Sequence, residues 1–345
     1  MGDFLTEGTV VAELGGSSRS VVRRVRAGDR TVIVKRFTGD TGGFAREAAA
    51  LGVLPPSAPV PRLLEVIESP PTVVMSDEGG GSSVADLLLG SSSPAAVEGL
   101  MSWAAAVARL HDVSVDLGDA FRAALFGRPA STVADDLTET VAALTVYAAG
   151  LQVPVPDGTW DGLRGLGDRL EGGPAVLSPG DTCPDNNVDT PRGRVLLDFE
   201  SAQWRHPAWD VAYLVVPWPT CWCSWRLPDE VAEQAIHRYQ EASALPWARS
   251  AGFRSDIEVA AVVWAFMTSA MFLERALGDD PPPADPAKVM PPRRALILDR
   301  LATAALYRPP RAPRELDALS GFAIGLRAAL VDRWGEVALP CAPAF

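Results

Sequence analysis

The chain has 345 residues, 48% of them hydrophobic, which is enough for one large or two closely joined domains with a sizeable core and too apolar for a disordered chain. Its 31 basic and 43 acidic side chains leave a formal charge of −12, which repels phosphate backbones, argues against nucleic acid as a main partner, and either serves solubility or favours a cationic substrate. Four cysteines, at 183, 221, 223 and 341, are too few for a secreted disulfide framework, and the opening MGDFLTEGTVVAELGG lacks the pattern of a secretory signal, so a reducing, cytoplasmic setting is expected.

Strand and turn signals come first along the chain. Thr9 to Leu14, Ser20 to Arg26 and Arg30 to Phe37 are β-rich and separated by GGSS and AGD, which predicts a meander. In GGFAREAAALGVL, Phe44, Ala48, Leu51 and Leu54 recur at helical spacing, and Pro55, Pro56, Pro59 and Pro61 end the helix. Leu63 to Ile67 and Thr72 to Met75 read as two more short strands. The glycine-rich DEGGGSS, residues 77 to 83, reads as a connector.

Helical periodicity dominates after that. Pro94 to His111, Thr132 to Leu151 and Trp160 to Leu170 are predicted helices, followed by short apolar strands at Ala175 to Leu177 and Arg194 to Phe199. Four more helices are predicted at Asp229 to Ala244, Asp256 to Leu277, Arg293 to Tyr307 and Arg314 to Trp334. The longest apolar stretch, Val259 to Leu273, contains Thr268 and Ser269 and falls short of the roughly 20 residues that span a bilayer, so a buried core helix and no membrane partner are expected.

The segment AVLSPGDTCPDNNVDTPRGRVLLDFESAQW, residues 175 to 204, carries the chemistry. It sets Asp181 after one strand, Asn186 five residues later and Asp198 at the end of a second strand. Phosphoryl transfer needs a carboxylate to orient the attacking hydroxyl and oxygen ligands for the metal that neutralises the phosphate. Asn186 offers a neutral carbonyl oxygen and Asp198 a charged one, a hard-ligand pair suited to Mg2+.

These residues resemble the aminoglycoside phosphotransferase and choline-kinase-like family, relatives of the protein kinases, over roughly the first 214 residues. The family's HGDxxxxN loop is matched by PGDTCPDN and its metal strand by LLDFE. The resemblance implies that Asp181 is the catalytic base and that Asn186 and Asp198 bind Mg2+. It implies that Asp210, in RHPAWDVAYL, helps hold the catalytic loop. Lys35, ending VIVKRF, would contact the phosphates of ATP, or of GTP, with Glu47 of the next helix as its partner; Glu47 could otherwise face solvent. Gly15, Gly16, Ser17 and Ser18 would let backbone amides approach the phosphates, unless they form an ordinary hairpin turn. VVMSDEGGG falls where the family binds adenine, implying backbone contacts from Ser76 and Glu78 with Met75 behind the ring. The implied fold is α+β and two-lobed, protein-kinase-like. Residues 1–78 form a small antiparallel-sheet N-lobe with one helix, and residues 79–345 a larger, mainly helical C-lobe.

The chain departs from the family at Pro179, where a histidine usually stands, and at Asp185, where a glycine often stands. Pro179 supports a second reading, a catalytically impaired nucleotide-binding regulatory protein. A protein kinase is disfavoured because Asp198 runs into HPAWD without room for a long activation segment. Cys221, Cys223 and His206 fall short of the four ligands of structural zinc. The cluster Trp204, Trp209, Trp218, Trp222 and Trp225 reads either as core or as the wall of an acceptor pocket.

Overall fold

The computed structural model describes residues 8–16, 19–39, 41–125, 127–128, 132–280, 288–306 and 314–345. Five antiparallel strands, β1 (Thr9–Gly16), β2 (Ser20–Ala27), β3 (Arg30–Phe37), β4 (Leu63–Glu68) and β5 (Pro71–Ser76), form one sheet in the order β1-β2-β3-β5-β4. The alternation of a strand sorts β3 into two faces. Val32 and Val34 join Val25 and Val74 in a small core on one side. Ile33 and Phe37 meet the main core on the other, which places Lys35 between them on that inner face.

Helix α1 (Thr41–Val53) packs on this inner face, against β3, β4 and β5. Phe44, Glu47 and Leu51 fall on one side of it at helical spacing, so Glu47 is carried into the interior with its apolar neighbours and is only 1% exposed. The solvent-facing alternative for Glu47 is therefore excluded.

The connector passes into α2 (Val84–Leu88), whose N-terminus is closed by a reciprocal cap between Ser83 and Asp86. Within the connector Gly81 tolerates no side chain, because a Cβ there would lie 2.0 Å from the Asp189 carbonyl oxygen. The large lobe follows with α3 (Ser93–Ser114), α4 (Gly118–Ala124), α5 (Val133–Gly150) and α6 (Thr159–Glu171). Two small ribbons come next, β6 (Val176–Ser178) with β9 (Gln203–Arg205), and β7 (Asn187–Val188) with β8 (Val195–Leu196). Helices α7 (Ala208–Val211), α8 (Asp229–Ala242), α9 (Ala251–Leu277), α10 (Arg293–Leu306) and α11 (Arg314–Trp334) complete it.

Two expectations are corrected. The strand predicted from Arg194 to Phe199 is only two residues long, because Asp198 adopts a left-handed backbone (φ 64) that turns the chain out of the ribbon. Helix α9 starts earlier than expected, capped by Ser250, and its 27 residues are long and apolar enough to cross a bilayer by length and composition. However, 72% of its most apolar window is buried by the fold, and it packs on α5, α6 and α10 as a core helix.

Candidate functional site

Lys35 points from β3 into a knot of carboxylates. Its ammonium lies 2.6 Å from Glu47, 2.7 Å from Asp198 and 3.0 Å from Glu200, with its side chain 5% exposed. Burial alone would lower the Lys35 pKa, but the three anions outweigh it and hold the group well above its ordinary value. Glu47 sits deeper still, and burial pushes its carboxyl up to about 7 against the pull of Lys35. Glu200 lies below its usual range, since Lys35 and Arg19 overcome its partial burial. Arg19 reaches Glu200 at 2.7 Å, and Arg46 Nε donates to the Glu200 carbonyl at 2.6 Å.

The loop after β6 presents Asp181. Thr220 donates to Asp181 Oδ1 at 2.7 Å, and Asn186 Nδ2 donates to the Asp181 carbonyl at 3.1 Å. Burial raises the Asp181 pKa above the usual carboxylate range, opposed by hydrogen bonds from Cys183 and Thr220 and reinforced by Asp198 and Asp185. Asp181, Asn186 and Asp198 line one pocket of about 110 Å³. Asn186, Asp198 and Glu200 also line an adjoining cavity of about 680 Å³, together with Lys35, Glu47, Met75, Ser76 and Glu78. The two spaces share a wall, so the phosphate-side and hydroxyl-side candidates meet at Asn186 and Asp198.

The other residues expected on the nucleotide side are placed as follows. Gly15 and Gly16 end β1, paired with Val22 and Val21, while Ser17 and Ser18 lie outside the described residues. The backbone N–H of Ser76 is engaged by the Arg62 carbonyl at 2.9 Å, so it is already spent as a donor. Glu78 pairs with Arg192 and accepts from the Ser76 hydroxyl at 2.6 Å.

Beside Pro179 the loop's polar support comes from Ser178, Arg205 and Asp210. Ser178 donates to Asp210 Oδ1 at 2.7 Å and accepts from the Gly180 amide and Arg205 Nε, each at 2.9 Å. Arg205 Nη2 bonds Asp210 Oδ1 at 2.6 Å. His111 Nε2 donates to Asp210 Oδ2 at 3.0 Å, and its Nδ1 lies 2.8 Å from the Tyr239 hydroxyl. Asp210 is fully buried; its desolvation would raise its pKa, but Arg205 and His111 bring it below the usual value. Sequence reasoning had reached Asp210 but missed Ser178, Arg205, Thr220, Arg19 and the role of Glu200. A signal existed for Glu200, two residues from Asp198 in LLDFE, and for Arg205 in the RHPAWD segment it begins.

The tryptophans divide. Trp209 and Trp218 are core, edge-on to Trp264 and Trp103, whereas Trp222 lines the smaller pocket and donates to Asp185 Oδ2 at 2.6 Å. His206 stands apart from the cysteines, stacked on Phe253 near Asp256.

A sequence profile of the APH family, the phosphotransferase enzyme family, matches residues 10–266, most of the chain. The chain belongs to the phosphotransferase enzyme family. Solved structures of low identity share the fold. Choline kinase LicA from Streptococcus pneumoniae aligns over 93% of this chain and 96% of its own, at 15% identity and a TM-score of 0.52. A choline/ethanolamine kinase family protein from Mesorhizobium loti aligns over 90% and 92%, at 20% and 0.51. A thermostable mutant of aminoglycoside phosphotransferase APH(4)-Ia aligns over 97% and 100%, at 12% and 0.51. No curated protein sequence matches the chain. As a phosphotransferase-family member the chain has the two-lobed kinase-like fold, and these likenesses do not fix its acceptor.

Proposed function

We propose that this protein transfers the terminal phosphoryl group of ATP, or of GTP, to a hydroxyl of a small, cationic acceptor. The observation that carries the reading is the shared wall of the two cavities. Asp181, Asn186 and Asp198 line the smaller one, and Asn186 and Asp198 continue into the larger one beside Lys35 and Glu47. The division of labour follows from that placement, with the nucleotide lobe ending near residue 78.

Asp181 orients the acceptor hydroxyl and takes its proton; a buried carboxylate with a raised pKa is a stronger base than an exposed one. Lys35, aimed by Glu47, meets the phosphates in exchange for part of its carboxylate company. The donors present fit Mg2+. Asn186 spends its amide nitrogen on the Asp181 carbonyl, which leaves its oxygen for a metal, and Asp198 adds a charged oxygen from a backbone turn that aims it at the cavity. The ion, when bound by these two residues, neutralises developing charge on the phosphoryl oxygens. The carboxylates of Asp181 and Asp185 and the indole of Trp222 make the smaller pocket suited to an amine-bearing acceptor. Four free thiols suit a cytoplasmic setting.

The test is ADP release from magnesium and ATP across a panel of amines, amino alcohols, sugars and antibiotics. Asp181→Ala is expected to lower the acceptor-dependent rate about 10²- to 10⁴-fold, and Asp198→Ala to abolish it, both with an unchanged fold. Full turnover in either variant refutes the assignment. Stabilisation by ATP without product from any acceptor would favour the non-catalytic reading.

A further inference from the structure

Three of the four cysteines gather beside the proposed base, and the mechanism above uses none of them. Cys183, Cys221 and Cys223 are 3%, 6% and 1% exposed. Cys183 and Cys221 nevertheless border the smaller pocket, and Asp185 stands with them. Ligand atoms of Cys183, Cys221 and Asp185 all lie within 4.8 Å of one another. Residues 183 and 185 come from the catalytic loop and 221 from the segment after α7, so only the tertiary fold brings the set together.

We propose that Cys183, Cys221 and Asp185 form a binding site for a thiophilic divalent cation of the zinc type in the floor of the acceptor-side pocket. The spacing fits. With metal–sulfur and metal–oxygen bonds of about 2.3 and 2.0 Å, a tetrahedral centre holds a sulfur and an oxygen ligand about 3.5 Å apart. Cys221 Sγ and Asp185 Oδ1 are 3.4 Å apart. The carboxylate is also braced as metal-bound carboxylates are, since Trp222 Nε1 donates to its other oxygen at 2.6 Å and leaves Oδ1 toward the thiols.

Cys223 is not the fourth ligand as placed. Two thiolates on one tetrahedral centre lie about 3.8 Å apart by the same bond lengths, whereas Cys221 and Cys223 are 2.8 Å apart. The fourth position therefore opens on the pocket. Ligand chemistry also separates this site from the proposed magnesium site next to it. Asp185 serves the sulfur set and Asn186 the oxygen set, so soft and hard cations are sorted by ligand type rather than by distance.

Cys183 Sγ is 3.4 Å from the Thr220 hydroxyl, which in turn donates to Asp181. Cys183 and Cys221 line the smaller pocket alone, while Asp185 lines both spaces, so a cation held by the thiols occupies the acceptor's floor. It should inhibit competitively with acceptor and not with ATP, a consequence that rests on the proposed function. The binding itself does not.

The decisive experiment titrates the reduced full-length protein with cobalt(II), in the absence of nucleotide. One equivalent should give a thiolate-to-cobalt charge-transfer band with tetrahedral ligand-field bands. Cys221→Ser should abolish the band, Cys183→Ser and Asp185→Asn should weaken binding at least tenfold, and Cys341→Ser should leave it unchanged. In the unmutated protein, zinc should protect Cys183 and Cys221, but not Cys341, from alkylation, which covers the case of a variant that does not fold. A wild-type protein without the band, a band that persists in Cys221→Ser, or equal alkylation with and without zinc overturns the proposal. Cobalt binding by a protein that shows no turnover would support this site while counting against the phosphotransfer reading; turnover without cobalt binding would do the reverse.

Discussion

Gly180→Ala places a methyl group where the backbone at Ser201 already stands. Gly180 has φ 81, and a Cβ built on it would lie 1.8 Å from the Ser201 carbonyl oxygen and 2.4 Å from its carbon. The left-handed backbone costs an L residue about 1–2 kcal/mol. The overlap is the larger effect. Ordinary contact begins near 3.4 Å, so the two backbones must separate by about 1.6 Å, the difference between these distances. Asp181 follows Gly180 directly, and Ser201 is three residues past Asp198, so the displacement lands on the spacing of the proposed base and the proposed metal ligand. A misplacement of about 1 Å costs on the order of 10²-fold in rate, or about 2.7 kcal/mol of barrier. The assay is ADP release with an acceptor found by the panel, read beside a thermal melt. Gly28→Ala serves as control, because Gly28 also has positive φ (60) but a Cβ there meets nothing within 4 Å. It should carry the backbone strain with unchanged turnover. Gly180→Ala retaining activity within threefold of wild type, or losing it only in step with unfolding, would refute the reasoning.

Other expectations concern buried charge. Asp210→Asn removes the anion between Arg205, His111 and Ser178 and should cost about 3–5 kcal/mol in denaturant unfolding; a loss under 1 kcal/mol would contradict the network. His206 is lowered from 6.5 to about 4, chiefly by burial, and its Nδ1 accepts from the Ala208 amide. The folded state thus binds fewer protons than the unfolded state between these values, so stability is lost as pH falls from 6.5 to 4. The contribution is about 3 kcal/mol, and His206→Gln should flatten that part of the stability profile; an unchanged slope refutes it. Lys35→Met leaves Glu47 buried beside two acids. Its carboxyl, already at about 7 against 4.5 unfolded, rises further. The variant should lose about 4 kcal/mol as pH rises from 5 to 8, about 1.4 kcal/mol more than wild type, with the difference appearing above pH 7, and equal destabilisation at both ends of that range would count against it.

What the sequence disclosed follows the range over which each feature is decided. The β1 to β3 meander and α1 rest on alternation and helical spacing, which act within a few residues, whereas the pairing of Lys35 with Glu47 came from the family resemblance. The short helix α2 was passed over inside a Gly/Ser run, although Ser83 and Asp86 form a cap visible in the sequence. Arg19 with Glu200, and Thr220 with Asp181, join residues far apart in the chain, and no local pattern marks them. The strand through Phe199 looked longer than it is because apolar letters continue past the point where Asp198 turns left-handed. The bonds of Ser178 with Arg205 and Asp210 beside Pro179 likewise join separate segments and leave no local pattern in the sequence.

Glu200 deserves a mechanical reading as well as a chemical one. Arg19 and Lys35 reach its carboxylate and Arg46 its carbonyl, so three cations of the sheet lobe are riveted to a single residue of the helical lobe. Parting the lobes means stripping that residue. The Arg19 side chain is 62% exposed and that of Lys35 is 5% exposed, so dissolved salt screens the outer rivet and barely reaches the inner one. Salt sensitivity of the contact between the lobes is thus expected at the rim beside Arg19 rather than at the root near Lys35.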